Sequence, residues 1–255
     1  MLLEDKIALV TGASSGIGRA TAVLLSQQGA AVSLVGRNLA ALESVAAEID
    51  ASRGRALVAP ADVTSEDDCR RIVGDTVSRF GGLDILVNAA GIIGTGTLDS
   101  TSQVQWREMM AINVDAVFTL MQLALPHLEK SKGNIVNVSS VTGLRAFPGV
   151  LSYCVSKAAA DQLTRCAALE LAPAGVRVNG VNPGVVETNL HRRGGMNEEA
   201  YAAFLEHSRT THPLGRVGQP HEVAEAILFL ASSKAAWLTG LNLGIDGGRQ
   251  LTCAR

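Results

Sequence analysis

Tyr153 and Lys157 stand four residues apart in Tyr153-Cys154-Val155-Ser156-Lys157, a spacing that puts both on one face of a helix. A phenol with its ordinary pKa near 10 is a poor base at neutral pH. An ammonium beside it stabilises the phenolate and is expected to bring that pKa down, which suits general acid–base work on a substrate oxygen. Such pairs are common on helix surfaces, so the surrounding residues must decide. Ser139 and Ser140 end a β-branched run upstream, Ser140 thirteen residues before Tyr153. Further upstream, Thr11-Gly12-Ala13-Ser14-Ser15-Gly16-Ile17-Gly18 joins an apolar run to a helical pattern. Glycines there let backbone N–H groups approach a pyrophosphate, and the helix that follows offers its positive end. The spacing is GxxxGxG, unlike the common GxGxxG dinucleotide fingerprint. No Gly-Lys-Ser/Thr ends it, so it is not a P-loop.

The acid that NAD-binding chains place about twenty residues later, for the adenosine ribose, is missing. The second apolar run ends Ser33-Leu34-Val35-Gly36-Arg37-Asn38, with Gly36 where the carboxylate would stand. The Arg37 guanidinium can take a 2′-phosphate through two charge-assisted bonds. The residues therefore favour NADP, with NAD as the alternative.

Short β-branched runs alternate with helix-length segments along the chain. Strands are expected at Lys6–Thr11, Ala31–Val35, Arg55–Ala59, Leu83–Asn88, Asn134–Ser139, Val176–Asn182 and near Leu241–Ile245. Their nearly continuous aliphatic content suits strands buried on both faces. Helical patterns fall at about Gly16–Gln28, Leu39–Ser52, Glu66–Phe80, Val104–Lys130, Tyr153–Leu171 and Glu222–Ala231, with Thr64-Ser65-Glu66-Asp67 a capped start. Repeated βα units imply an α/β, doubly wound parallel sheet with helices on both faces. No composition shift divides residues 1–255, so one domain is expected. His191 to Thr211 breaks the alternation and reads as a mobile flap or helical insertion, at about 189–212.

Composition narrows the rest. Hydrophobic residues make up 47% and charged residues 18%, which suits a folded core, and the net charge is −2. No basic run points to nucleic acid or an anionic membrane surface. The apolar stretch Met109 to Pro126 is interrupted by Asn113 and Asp115, which argues against a membrane span. The first residues carry two acids and resemble no targeting peptide, so a cytoplasmic protein is expected. Cys69, Cys154, Cys166 and Cys253 stand far apart and are read as free thiols. The five histidines form no HExxH, so no metal site is expected, and no GxSxG elbow marks a serine hydrolase.

These motifs together resemble the short-chain dehydrogenase/reductase family over about Leu3 to Gly248. The matching residues are Thr11 to Gly18, Asp62-Val63, Asn88-Ala89-Ala90-Gly91, Asn113, Ser140, Tyr153 with Lys157, and Asn182-Pro183-Gly184. The resemblance implies a Rossmann-type domain with a seven-stranded parallel sheet, assembled as a homotetramer. It implies Tyr153 as acid/base and Ser140, rather than Ser139, as holder of the substrate oxygen. Lys157 would lower the Tyr153 pKa and bind the nicotinamide ribose, and Asn113 would hold a helix bend and a relay water. The implied cofactor set is Gly12, Ser14, Ser15, Gly16, Ile17 and Gly18 in the turn, with Arg37 and Asn38 after strand two. Asp62 and Val63 would meet the adenine, and Asn88, Ala89 and Gly91 the adenosine ribose. Pro183, Gly184, Val186 and Thr188 would face the nicotinamide.

The expected function is an NADP(H)-dependent oxidoreductase interconverting a ketone and a secondary alcohol on a small-molecule substrate. Two alternatives stand beside it. A 3-oxoacyl-[acyl-carrier-protein] reductase is disfavoured by Ala174 before Gly175, where such relatives carry a basic residue, although Lys130 and Lys132 remain. A non-catalytic cofactor-binding scaffold is disfavoured by the presence of all four catalytic residues. Met196, Tyr201, Phe204 and Leu205 suggest an apolar lining for the substrate pocket.

Overall fold

The computed structural model describes residues 1–252; Cys253 lies outside the described residues. The chain runs β1 (Ile7–Thr11), α1 (Gly16–Gln27), β2 (Ala31–Gly36), α2 (Leu39–Ala51), β3 (Arg55–Pro60) and α3 (Glu66–Phe80). Next come β4 (Ile85–Asn88), α4 (Gln103–Met110), a π-helical turn at Ala111–Asp115, α5 (Ala116–Ser131), β5 (Asn134–Val138) and α6 (Val141–Leu144). It closes with α7 (Leu151–Leu171), β6 (Arg177–Pro183), α8 (Leu190–Arg193), α9 (Glu198–Thr211), α10 (Pro220–Ala231) and β7 (Asn242–Ile245).

All seven strands are parallel, in the order β3-β2-β1-β4-β5-β6-β7. Alternate residues of each strand serve opposite faces, as the two-residue period requires. Val10, Leu34, Val87, Val136 and Val181 join a core with Leu25 of α1, Ile49 of α2 and Ile227 of α10. Leu9, Val35, Leu86, Ile135 and Val178 join the other core with Ile72 of α3 and Leu120 of α5. Each fully buried aliphatic side chain contributes about 1.5–3 kcal/mol, which explains why the strands are mostly aliphatic. Strand order reverses between β1 and β4, so a crevice opens at their carboxyl ends, where ligands of such sheets sit.

Local capping agrees with the sequence. Ser65 caps α3 by accepting from Asp68 N, and Gly81 ends that helix in the left-handed conformation at φ 93°. Two expectations need correction. The Val104–Lys130 helix is broken by the π turn at Ala111–Asp115, where Asn113 hydrogen bonds the Ile92 backbone as well as Met109 Sδ one turn back. Gln103–Ser131 is also long and apolar enough to cross a membrane by length and composition alone, despite Asn113 and Asp115. The fold uses that apolarity for packing: Val117, Leu120, Met121, Ala124 and Leu128 are buried in the second core.

Candidate active site

A cavity of about 500 Å³ opens where β1, β4, β5 and β6 end. Ser140, Tyr153 and Lys157 share its wall. Ser140 leaves β5 as the N-cap of α6 and accepts from Thr142 N at 3.1 Å. Tyr153 lies in the first turn of α7, and Lys157 one turn later on the same face. The Lys157 Nζ donates to Val138 O at 2.9 Å and sits 5.7 Å from the Tyr153 ring centroid. Asn113 does not reach the cavity. It lies behind it, 1% exposed, accepting from Ile92 N and donating to Ile92 O and Ser156 Oγ, each at 3.0 Å.

The protonation pattern differs from the expectation that Lys157 holds the phenol down. Burial pushes the Tyr153 phenol up to about 12, and the Ser140 side chain is the group that draws it back. Burial also pushes the Lys157 ammonium down to about 8, with the Asp161 carboxylate opposing that shift. Desolvation outweighs pairing at both groups.

Asp161, which sequence reasoning missed, is 1% exposed one turn beyond Lys157. Both its carboxylate oxygens accept from Asn182 Nδ2, at 2.8 and 3.1 Å, and Asn182 Nδ2 also donates to Ser140 O at 2.8 Å. Its backbone carbonyl accepts from Asn242 Nδ2 at 3.1 Å. Burial raises its pKa, while bonds from Ser139 and Asn182 lower it. Ser139 Oγ in turn donates to Lys157 O at 3.2 Å. Asp161 thus ties α7 to the ends of β5 and β6, the two elements that set Ser140 against Tyr153. The signal in the sequence was its place, continuing the Tyr153–Lys157 face by one further turn.

At the other end of the cavity lies the glycine turn, lined by Gly12, Ser14, Ser15, Gly16, Ile17 and Gly18. Gly12 holds φ +66°, and a side chain there would meet Ala89 O at 2.8 Å, so β1 and β4 can close up only around glycine. Ser15 is the N-cap of α1 but makes no side-chain cap bond, and no acid stands in the first turn. The leading N–H groups and positive end of α1 are therefore left for a ligand, the donor set that a pyrophosphate requires. Ala89 and Gly91 join this wall, as do Pro183, Gly184, Val186 and Thr188.

Arg37, Asn38, Asp62, Val63 and Asn88 do not line this cavity. Asn38 caps α2 through a bond from Ala41 N at 3.0 Å, so its side-chain acceptor is committed. Asp62 accepts from Thr64 N and Oγ1 at 3.0 and 2.8 Å; these bonds, then the Arg37 charge, hold its carboxyl below the usual range. Asn88 Nδ2 donates to Asn137 Oδ1 at 2.9 Å, tying β4 to β5.

The 189–212 segment forms the helices α8 and α9. Met196 and Phe204 face the cavity, but Tyr201 and Leu205, expected there too, do not line it. Tyr201 is 2% exposed, donates to Thr188 O at 3.0 Å and lies under the Arg192 guanidinium. His212, the C-cap of α9, accepts from Val185 N at Nε2 and meets Ser208 O at Nδ1. The segment is pinned at both ends to the loop after β6.

A family model described as enoyl-(acyl carrier protein) reductase matches residues 12–250. A 3-oxoacyl-[acyl-carrier-protein] reductase of Thermotoga maritima is 40% identical over 249 residues, covering 97% of this chain and 99% of that protein. A cyclohexanol dehydrogenase of Acinetobacter is 39% identical over 248 residues, covering 96% and 94%. Among solved structures, a short-chain dehydrogenase/reductase of unknown function from Caenorhabditis elegans, solved with cofactor, superposes with a TM-score of 0.95. It is 38% identical, covering 100% of this chain and 98% of that one.

Proposed function

The chain belongs to the short-chain dehydrogenase/reductase family, whose members bind a nicotinamide cofactor, and from that premise we propose an NADP(H)-dependent oxidoreductase interconverting ketones and secondary alcohols. The observation that carries this reading is one cavity with Ser140, Tyr153 and Lys157 on one wall and the open amino end of α1 on another. The turn from Gly12 to Gly18 would hold the pyrophosphate, and Pro183 to Thr188 would flank the nicotinamide. A bound nicotinamide cofactor supplies or removes hydride at the substrate carbon.

The chain's own residues handle the oxygen. A phenol pushed up to about 12 keeps its proton at neutral pH, so Tyr153 is suited to protonate the oxygen as a ketone is reduced. The Ser140 hydroxyl, fixed at the start of α6, donates to the same oxygen as its charge grows. Lys157, poised near 8, is suited to pass protons on to Tyr153. Asn113 fixes the Ile92 loop and Ser156 beneath them.

The preference for NADP rests on the β2 end, where Gly36 offers no carboxylate and the exposed Arg37 offers a cation. We read residues 1–255 as one domain. The family resemblance is the ground on which we read the assembly as a homotetramer. The free thiols Cys69, Cys154 and Cys166 support a cytoplasmic setting.

A carrier-protein substrate is the second reading, favoured by the Thermotoga relative. Against it, Lys132 packs beside Gly175 at the amino ends of β5 and β6, the edge away from the cavity. The test is purified protein with NADPH or NADH against ketones, oxo acids and their esters, diketones and acetoacetyl-carrier protein, followed by cofactor absorbance. Turnover of small ketones with NADPH is expected. Turnover of the carrier substrate alone would favour the second reading. Cofactor binding without any turnover would leave only a scaffold.

A further inference from the structure

We propose that the substrate of this enzyme carries a carboxylate and that Arg249 receives it; the proposal rests on the oxidoreductase reading above. Arg249 lines the same cavity as Ser140, Tyr153 and Lys157. Its guanidinium lies 5.0 Å from the Phe147 ring centroid, and its Nη1 donates to Thr211 O at 3.2 Å and Thr252 Oγ1 at 3.4 Å. Those contacts hold the group in place. Its Nε and Nη2 make no hydrogen bond among the described residues, and that edge is the planar fork that grips a carboxylate at two points.

The chain closes comparable forks with acids elsewhere. Arg192 meets Glu198 through Nε and Nη2 at 2.6 and 3.0 Å, and Arg216 meets Glu222 through Nη1 and Nη2 at 2.8 and 2.6 Å. No acid answers Arg249 among the described residues. Asp246, the nearest in sequence, is committed: its two oxygens accept from Gly248 N at 3.0 Å and Gln250 N at 2.7 Å. The neighbouring charge is another cation. Arg145 sits 5.6 Å from the same Phe147 ring, bonded to Gln250 O, and with burial it pushes the Arg249 pKa down. A partly buried cation beside a second cation is unfavourable until an anion arrives.

The rest of the cavity agrees. Lys157, Arg193 and Arg249 are among its lining residues, whereas no aspartate or glutamate is. Ile93, Phe147 and Met196 supply apolar wall. An oxo acid or hydroxy acid with an apolar body fits this pattern, its carbonyl at Tyr153 and its carboxylate at Arg249.

The experiment compares two oxo acids of different reach, 4-oxopentanoate and 4-oxocyclohexanecarboxylate, each with its methyl ester, in the wild type. A charge-assisted pair predicts at least one acid favoured over its ester by about tenfold or more in kcat/KM. Arg249→Gln should abolish that preference mainly through KM, and Arg249→Lys, which keeps the charge but not the fork, should restore only part of it. Esters turned over as well as both acids would overturn the Arg249 assignment and leave the oxidoreductase reading standing. No turnover of acids, esters or any ketone with either cofactor would overturn both. A preference for acids that survives Arg249→Gln would place the carboxylate elsewhere and overturn the assignment too.

Discussion

The carboxyl edge of the sheet is built in two ways. Around β5, β6 and α7 the polar side chains are buried and tied over long separations: Asn137 to Thr164, Asn182 to Asp161 and Ser140, Asn113 to Ile92 and Ser156. At the ends of β2 and β3 the polar groups face water and bond mostly to near neighbours, as Asn38 does to Ala41 and Asp62 to Thr64. Buried bonds leave costly unpaired groups when one partner is removed, whereas exposed ones fall back on water. On the proposed function, the reacting groups stand on the more densely bonded part of the molecule. The end assigned to the adenosine could change its choice of cofactor without disturbing them.

The largest break of this contrast should come from Tyr153→Phe. Loss of the acid/base should lower kcat by about 10²–10⁴-fold with cofactor affinity retained, read by steady-state kinetics and cofactor titration. Near-normal turnover would remove Tyr153 from the chemistry.

Asp161 tests the buried side by two measurements. Asp161→Ala leaves one Asn182 N–H buried without an acceptor, the other staying on Ser140 O, at about 1–3 kcal/mol for a buried unsatisfied group, so the melting temperature should drop by several degrees. Asp161→Asn should recover much of that drop but lacks the charge. Lys157, already pushed down to about 8, would then lose its proton at still lower pH. The alkaline limb of the kcat profile should move to lower pH in Asp161→Asn, a shift that a purely structural role would not produce.

The exposed side should respond oppositely. Gly36→Asp with Arg37→Ala should turn an NADP preference of about tenfold into an NAD preference, with melting almost unchanged. Solvent and salt screening keep the effect near that low end. The fold has room, since a side chain at Gly36 meets nothing nearer than Ser14 Oγ at 3.4 Å. Preference for NAD in the wild type would refute the role given to Arg37.

The smallest effect belongs to the α9 anchor. Burial, ahead of the Arg249 charge, holds His212 below its ordinary 6.5. A folded pKa below the unfolded one means that the neutral ring's stabilisation is full above about 6.5 and is lost as pH falls toward the folded value. A protonated ring can no longer accept from Val185 N. Protection of the α9 amides, relative to their intrinsic exchange rates at each pH, should fall as the pH drops from 7 toward 5, and His212→Gln should flatten that dependence. Equal protection at both pH values would show that the anchor does not titrate there.

Local pattern made much of this protein legible before any coordinates. All seven strand positions and the α3 boundaries follow from aliphatic runs and capping residues, because strands buried on both faces need continuous aliphatic runs and helix faces repeat every three or four residues. The glycine turn and the Tyr153–Lys157 face were readable for the same reason, since each is a short stretch whose geometry its own residues impose. The α9 helix was less so: Tyr201 looked like pocket lining, yet it is an anchor whose partner Thr188 lies in another segment.

By itself, then, the sequence determined the alternation of strands and helices, the anion-ready turn after β1 and which residue types could move a proton. Only the tertiary structure decided that the bend at Asn113 is a π turn, that Asn38 is a cap, that the Tyr153 phenol is pushed up rather than down, that Asp161 is buried behind the cavity and that Arg249 lines it. The physical reason is distance along the chain. Hydrogen bonding and solvation within a turn repeat at short periods that the sequence displays. Whether a polar group is desolvated, and what answers it, depends on elements such as α7 and β6, or Arg249 and Thr211, that meet only once the sheet has closed.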